Sequence, residues 1–294
     1  MNDPLRPFQL SPLSRRRLLA LPLALGPRLD LPAAAANGFA RSIIARAVVD
    51  SSLSPPMTVG LARVILRSGA AAWAETPGGV RILAIESGAL EIDTVTRDDA
   101  RQLLATGVGM TSAPRTTHDL VLRSGSAMPF GGVGITSIRN SGRRTVVLLD
   151  AAVYSEEPRP LVRAFTSDDG LTFQLLAHAS LAAIPHPPAA VTLERWALEP
   201  GAAMPLASSV GCTVIYLEAG SIDLTHLAGE VAYARAAAAA PYALPGALQA
   251  LDPGQRRPVT AGGVIALFLD GVATIENTST RLASMLLLAM RSLR

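Results

Sequence analysis

Displaced by 132 positions against itself, the chain matches: Val59, Leu61, Arg63, Leu66, Gly69, Ala70, Ala71, Gly79, Glu86 and Gly88 meet Val191, Leu193, Arg195, Leu198, Gly201, Ala202, Ala203, Gly211, Glu218 and Gly220. Ten identities within thirty positions are far above chance. At a displacement of 137, Gly125, Gly134, Ile138, Asn140 and Arg144 meet Gly262, Gly271, Ile275, Asn277 and Arg281. One unit is therefore present twice, and five extra residues separate the halves of the second copy. Duplication yields an intramolecular pseudo-dimer, in which each copy can cover sheet edges that the other would leave exposed.

Both copies read as β structure. TVGLARVIL and VTLERWAL alternate towards a glycine turn, VRILAIESGALEI and TVIYLEAGSIDL read as strand, turn, strand, and RRTVVLLDAAVY and RLASMLLLAM are apolar strands after a turn. A helical reading would bury Gly69, Gly88, Gly125 and Gly134 inside elements, at about 1 kcal/mol each. Short strands with glycine at the corners predict antiparallel barrels or jelly rolls. Aromatic residues make up only 4% of the chain, so Val, Leu, Ile and Ala must fill the cores.

The repeated glycines and asparagines, Gly69, Gly88, Gly125 and Asn140 with Gly201, Gly220, Gly262 and Asn277, resemble the two motifs of the cupin family, G-x5-H-x-H-x3,4-E-x6-G and G-x5-P-x-G-x2-H-x3-N. The similarity covers nearly all of residues 58–290. It implies an all-β bicupin, two double-stranded β-helix (jelly-roll) barrels in tandem. Glycine suits the tight turns, and asparagine can bond its own backbone or take a left-handed turn position. The implied divisions are an export signal over 1–36, an N-terminal arm over 37–57, barrel one over 58–150, a linker over 151–189 and barrel two over 190–294. The linker is expected to carry a short hairpin or helix around Leu171 to Ala183, and the low-complexity stretch 234–254 reads as an excursion between the halves of the second barrel.

In that family two histidines, a glutamate and a third histidine hold a divalent metal. Here the corresponding positions are Glu75, Pro77, Arg81 and Thr136 in copy one, and Ala207, Ser209, Thr213 and Ala273 in copy two. Metal binding needs several imidazole, carboxylate or thiolate donors facing one point. These sets do not supply them, so neither metal nor another cofactor is expected. His118, His178, His186 and His226 share no ligand spacing and read as surface or loop residues, with His118 near a barrel rim. Arg81 offers a planar donor fork for a carboxylate or phosphate. Glu75 is its expected partner in an empty pocket, and Thr136 adds a hydroxyl. Glu75, Arg81, Thr136 and His118 are thus the candidate ligand-binding residues, and no catalytic residue is assigned. The competing reading has Arg81 reaching the barrel mouth and pairing with Glu75 for solubility. Barrel two, with Met204 and Tyr216 as nearby apolar volume, reads as a packed core or a small apolar cavity.

Glu86 and Glu218 precede turn glycines and read as hairpin-corner residues rather than a carboxylate pair. The single Cys212 excludes an intramolecular disulfide and reads as a buried, inert thiol. No nucleophile elbow, phosphate loop or dinucleotide fingerprint occurs.

A sequence pI of 9.6 suggests nucleic-acid binding, but the placement of charge argues against it. Five arginines and two aspartates within residues 1–36 account for the whole net charge of +3 and leave the remainder neutral. SRRRLLALPLALG followed by LPAAAANG has the charged, apolar and cleavable order of an export signal. Its Arg15, Arg16 and Arg17 resemble the twin-arginine signal, with cleavage expected after Ala35 or Ala36. The apolar stretch is shorter than the roughly 20 residues a spanning helix needs, so no integral membrane segment is expected in the mature chain. The functional expectations, in order, are a metal-free exported protein that binds or senses a small molecule in barrel one, a structural or interaction protein with filled barrels, and a cofactor-independent enzyme on a small anionic substrate. A homodimer is the candidate assembly, and nucleic acid is not an expected partner.

Overall fold

The computed structural model describes residues 38–49, 56–95, 120–155, 165–167, 170–181, 188–208, 211–235, 246–268 and 270–293. Within strands, the side chains of 73–78, 93–95, 130–136, 155 and 165–167 are not described. The protein is all-β: every regular element among the described residues is a strand, and pairing is antiparallel throughout. No helix among them is long and apolar enough to cross a membrane.

The strands follow the repeat. Copy one comprises β1 (Phe39–Val49), β2 (Met57–Leu66), β3 (Ala71–Ser87), β4 (Ala89–Val95), β5 (Leu120–Arg123), β6 (Ala127–Arg139) and β7 (Val146–Ser155), followed by the short β8 (Phe165–Ser167). Copy two comprises β9 (Leu171–Leu181), β10 (Ala189–Leu198), β11 (Ala203–Ser208), β12 (Gly211–Ala219), β13 (Ser221–Ala228), β14 (Val231–Ala234), β15 (Gln249–Ala250), β16 (Arg256–Thr260), β17 (Val264–Leu267), β18 (Gly271–Glu276) and β19 (Ala283–Ser292). β1 and β9 are both 11 residues long, and their bounds differ by the repeat distance of 132. β7 and β19 are offset by 137. The strands bounding the second copy's halves thus begin and end where the sequence identities require.

The two leading strands are exchanged. β1 opens copy one but pairs with β10 of copy two, Phe39 opposite Leu198 and Val49 opposite Ala189. β9 lies in the segment read as a linker and pairs with β2 of copy one, Leu171 opposite Leu66 and Leu181 opposite Met57. Each strand is stabilised by burying its apolar residues against the copy it covers. Phe39 meets Trp196 edge to face, with ring centroids 5.2 Å apart. Ala47, Val49, Ala179 and Leu181 enter a core built from both copies.

Three apolar clusters result. Val64, Leu66, Leu83, Ile85, Leu90, Ile138 and Leu148 fill the interior of the first barrel. Trp196, Leu198, Ile215, Leu217, Leu224 and Ile275 fill the second. Between the barrels, Val59, Leu61, Ile82, Ala151 and Val153 pack with Val191, Leu193, Val214, Leu286, Leu288 and Met290. Alternate residues of one strand serve different clusters, because successive side chains point to opposite faces. Tyr216 belongs with the inter-barrel cluster, which corrects its expected place as apolar volume of the second barrel.

The repeated turn residues are structural. Gly88 and Gly220 both have positive φ, and a Cβ on Gly220 would lie 2.9 Å from the Ala283 backbone. Asn140 and Asn277 are fully buried. The Asn277 amide donates to the Leu198 and Arg281 carbonyls at 2.8 and 2.7 Å and accepts from the Ser279 N–H at 3.0 Å. Asn140 repeats this with Leu66, Arg144 and Gly142. Neither asparagine needs left-handed backbone, since Asp270 is the one non-glycine residue with positive φ among those described.

Candidate functional site

The first barrel carries a buried charge pair. Arg81 on β3 shares the face of Leu83 and Ile85, and Asp150 on β7 shares that of Val146 and Leu148, so both point into the barrel. Leu83 pairs with Asp150 and Arg81 with Ala152, which makes the two charged side chains diagonal neighbours. Arg81 Nε and Nη2 donate to the two Asp150 oxygens at 2.6 and 2.7 Å. Side-chain exposures are 4% and 5%. The sequence reading missed Asp150. Its signal was a lone carboxylate in the apolar run VVLLDAAVY, where an unpaired charge would be prohibitively costly to bury.

One expectation for Arg81 is corrected: it is buried and does not reach out to the barrel mouth, and Asp150 is a partner that its sequence context did not suggest. Glu75 is paired in register with Ile135, while Thr136 is paired with Ala74. The side chains of Glu75 and Thr136 lie outside those described, as do the whole of His118 and His186.

Two histidines are not the loop residues expected from the sequence. His178 stands on β9 opposite Gly60, which in turn pairs with Ala152, itself opposite Arg81. It therefore lies in the same cross-sheet row as Arg81, with a glycine and an alanine between. Its Nδ1 is buried without a hydrogen-bond partner. His226 stands on β13, is 1% exposed, and lies within hydrogen-bond distance of the Gly229 carbonyl through Nε2 at 3.1 Å. Thr58 and Tyr154, paired across β2 and β7, are further polar residues towards the same end of the first barrel.

The second barrel differs from its expected register. On β11, Leu206 and Ser208 are buried while Ala207 is exposed, so Ala207 does not take the interior position assigned to it. Ser209 lies outside the described residues. Thr213 and Ala273 do share interior faces, with Ile215 and Ile275 respectively. Met204 is partly buried against the same core. Nearby, Glu194 is 1% exposed and is held by Arg41 of the exchanged strand β1 at 2.6 and 2.8 Å and by the Trp196 indole N–H at 2.7 Å. Burial pushes the Glu194 carboxyl upward, but the bonds from Arg41 and Trp196 prevail and hold it below the ordinary carboxylate range.

Glu86 and Glu218 do more than mark corners. With Arg63 and Arg195 they close a four-membered ring of charges across the pseudo-two-fold axis. Arg63 Nε donates to Glu86 at 2.8 Å and its Nη2 to Glu218 at 2.7 Å. Arg195 Nε donates to Glu218 at 2.9 Å and its Nη2 to Glu86 at 2.6 Å. Burial alone would raise the Glu86 carboxyl, yet the two guanidiniums hold it below its usual range. Cys212 is buried, and its thiol is pushed up to about 12 by desolvation and the nearby Glu230, which makes it an unreactive core residue.

The motif positions whose side chains are described do not supply the imidazole, carboxylate or thiolate donors a divalent metal takes. They hold Arg81, Ala207, Thr213 and Ala273, and Asp150 is engaged by Arg81. Among the described residues no three His, Cys, Asp or Glu side chains are grouped as metal ligands would be.

These features define a class by fold, a tandem antiparallel jelly roll with a charge pair inside one barrel. No family model matches the chain, and no curated protein matches it. Among solved structures it is similar to a cupin 2 conserved barrel domain protein from Leptotrichia buccalis, with 13% identity, coverage of 84% of this chain and 89% of that one, and a TM-score of 0.36. It is similar to a Lactobacillus farciminis oxalate decarboxylase in a formate complex, with 9% identity, 90% and 84% coverage and a TM-score of 0.45. Pumpkin seed globulin gives 11% identity, 84% of both chains and a TM-score of 0.45. No residue role or activity is transferred from any of them.

Proposed function

We propose that this chain is an exported, metal-independent binding protein that takes a small molecule bearing an anionic group at the charged end of its first barrel. The observation that carries the reading is the Arg81–Asp150 pair, withdrawn from water inside a barrel whose described core cluster is apolar. Apolar residues of similar volume would be at least as stabilising there, by about 1–4 kcal/mol in comparable replacements. Retaining two charges in that position supports a role beyond packing. The unpartnered Nδ1 of His178 in the same row supports it further.

Chemically, a carboxylate or phosphate must displace Asp150 from the guanidinium fork. Asp150 then acts as a built-in competitor that keeps the site closed to water until a ligand arrives. Export by the twin-arginine route and the absence of a nucleic-acid partner belong to the same proposal, on the strength of the leader and the neutral remainder of the chain.

The test is native mass spectrometry and elemental analysis of the mature protein, followed by anion titrations of Asp150→Asn and Arg81→Leu. A co-purified small acid without stoichiometric metal, tighter anion binding in Asp150→Asn and loss in Arg81→Leu are expected. One equivalent of metal, or anion binding indifferent to both substitutions, would refute the proposal. A second reading, a structural protein with filled barrels, is favoured by the fully buried Leu66, Leu90, Ile138 and Leu148 packed within the first barrel. It predicts that neither substitution changes any binding.

A further inference from the structure

The two positions of the second barrel that correspond to the ion pair of the first are uncharged, and the barrel also holds unsatisfied hydroxyls. Thr213 occupies the position of Arg81, and Leu287 that of Asp150. Thr213 is 5% exposed, and its Oγ1 makes no hydrogen bond. Ser208, 3% exposed, likewise has an Oγ without a partner. Both hydroxyls share the interior face of the barrel, Thr213 with Ile215 and Ser208 with Leu206. Ser208 is the last residue of β11, and Thr213 is the third of β12. Thr192, 6% exposed, lies in one cross-sheet row with Thr213, and only Ala289 stands between them.

Leaving a hydroxyl buried and unbonded costs about 1–3 kcal/mol, and valine or alanine would avoid that cost at either position. Two such groups, one from each sheet enclosing the core and with a third buried hydroxyl in the row of Thr213, offer hydrogen-bonding capacity that the protein itself leaves unused. Glu194, directly opposite Leu287, is a buried interior charge, but it is already bound by Arg41 and Trp196. An ion entering here would lose its hydration without gaining a counter-charge.

We infer that the second barrel holds a separate site, centred on Ser208 and Thr213, for a small uncharged molecule that both donates and accepts hydrogen bonds, such as an amide or a diol. The two barrels would then divide recognition, with a charged group bound in the first and a neutral polar group in the second. The inference does not rest on the first-barrel reading, since it uses neither Arg81 nor Asp150.

The experiment is ligand-observed saturation-transfer NMR on the mature chain with acetamide as the neutral probe and acetate as its near-isosteric charged control. Acetamide should bind to the unaltered protein, lose at least tenfold in affinity in the Ser208→Ala/Thr213→Val double variant, and retain it in Thr213→Ser, which keeps the hydroxyl. Acetate binding should be unchanged by the double variant. The double variant should also melt no lower than the parent when no probe is present, because it removes two unsatisfied buried groups. No acetamide signal, an acetamide signal of equal strength in the double variant, or acetate binding abolished by that variant would each overturn the inference. Arg81→Leu measured alongside should leave acetamide binding intact, so failure of the first-barrel reading would be seen separately.

Discussion

Neutralising one member of the charge ring tests whether the barrels are coupled by it. In Glu86→Gln the shape is nearly kept, but Arg63 and Arg195 are left facing a single carboxylate, that of Glu218. The four side chains are between 13% and 21% exposed, so the ring is neither a solvated surface pair nor fully desolvated. Opposite charges about 4 Å apart attract by about 4 kcal/mol at an effective dielectric of 20. The substitution removes two such attractions, relieves the repulsion between the two glutamates, and recovers the cost of burying one carboxylate. Breaking a fully buried pair costs about 3–5 kcal/mol, and an exposed pair is worth about 0–1. For this partly shielded ring about 2–3 kcal/mol is expected. The assay is urea unfolding at pH 7 followed by circular dichroism. Because Glu218 is the symmetry mate, Glu218→Gln should cost nearly the same. A double-mutant cycle of Arg63→Leu with Glu218→Leu should report a coupling of about 1–2 kcal/mol across the barrels. A cost below about 0.5 kcal/mol for Glu86→Gln, or no coupling in that cycle, would refute the view that the ring joins the barrels.

Acid should weaken the fold through the same carboxylates. Glu86 and Glu194 are held below the ordinary range in the folded chain, so their contribution is complete above the unfolded value of about 4.3 and disappears as pH falls through the lowered folded values. Urea midpoints measured against pH should be level near neutrality and fall below about pH 4.5, and the fall should be shallower in Glu86→Gln. Asn277→Ala removes the groups that satisfy the Leu198 and Arg281 carbonyls and the Ser279 N–H, and should cost about 3 kcal/mol in chemical unfolding. Asn277→Asp should cost at least as much, since it turns a donor into an acceptor facing two carbonyls. Gly211→Ala would place a Cβ 1.8 Å from the Met290 carbonyl oxygen, and should lower the melting temperature more than Gly69→Ala, whose Cβ would meet nothing within 4 Å. For Gly69→Ala the remaining cost is the left-handed backbone, about 1–2 kcal/mol.

Much of the fold was legible because turns and duplication are local or self-referential signals. Gly88 and Gly220 announce left-handed corners wherever they fall, and a displacement of 132 residues needs no structure to be seen. The ring was partly legible as well. Arg63, Arg195, Glu86 and Glu218 are charged identities in a mostly apolar repeat, and charges kept in both copies are what a contact near the symmetry axis would require. Reading the glutamates as corner residues overlooked that they recur together with two arginines.

The amino-acid sequence by itself determined that the chain is β and that it is double. Tertiary structure alone decided that β1 and β9 are exchanged, that Arg81 takes Asp150 from 69 residues away, and that Leu206 and Ser208 rather than Ala207 face the second core. The reason is that a strand's periodicity fixes which residues share a face, but not which face is buried or which strand lies alongside. A displacement of one residue turns every side chain over, and the choice between registers is made by burial against strands distant in sequence, where neither composition nor spacing can be read.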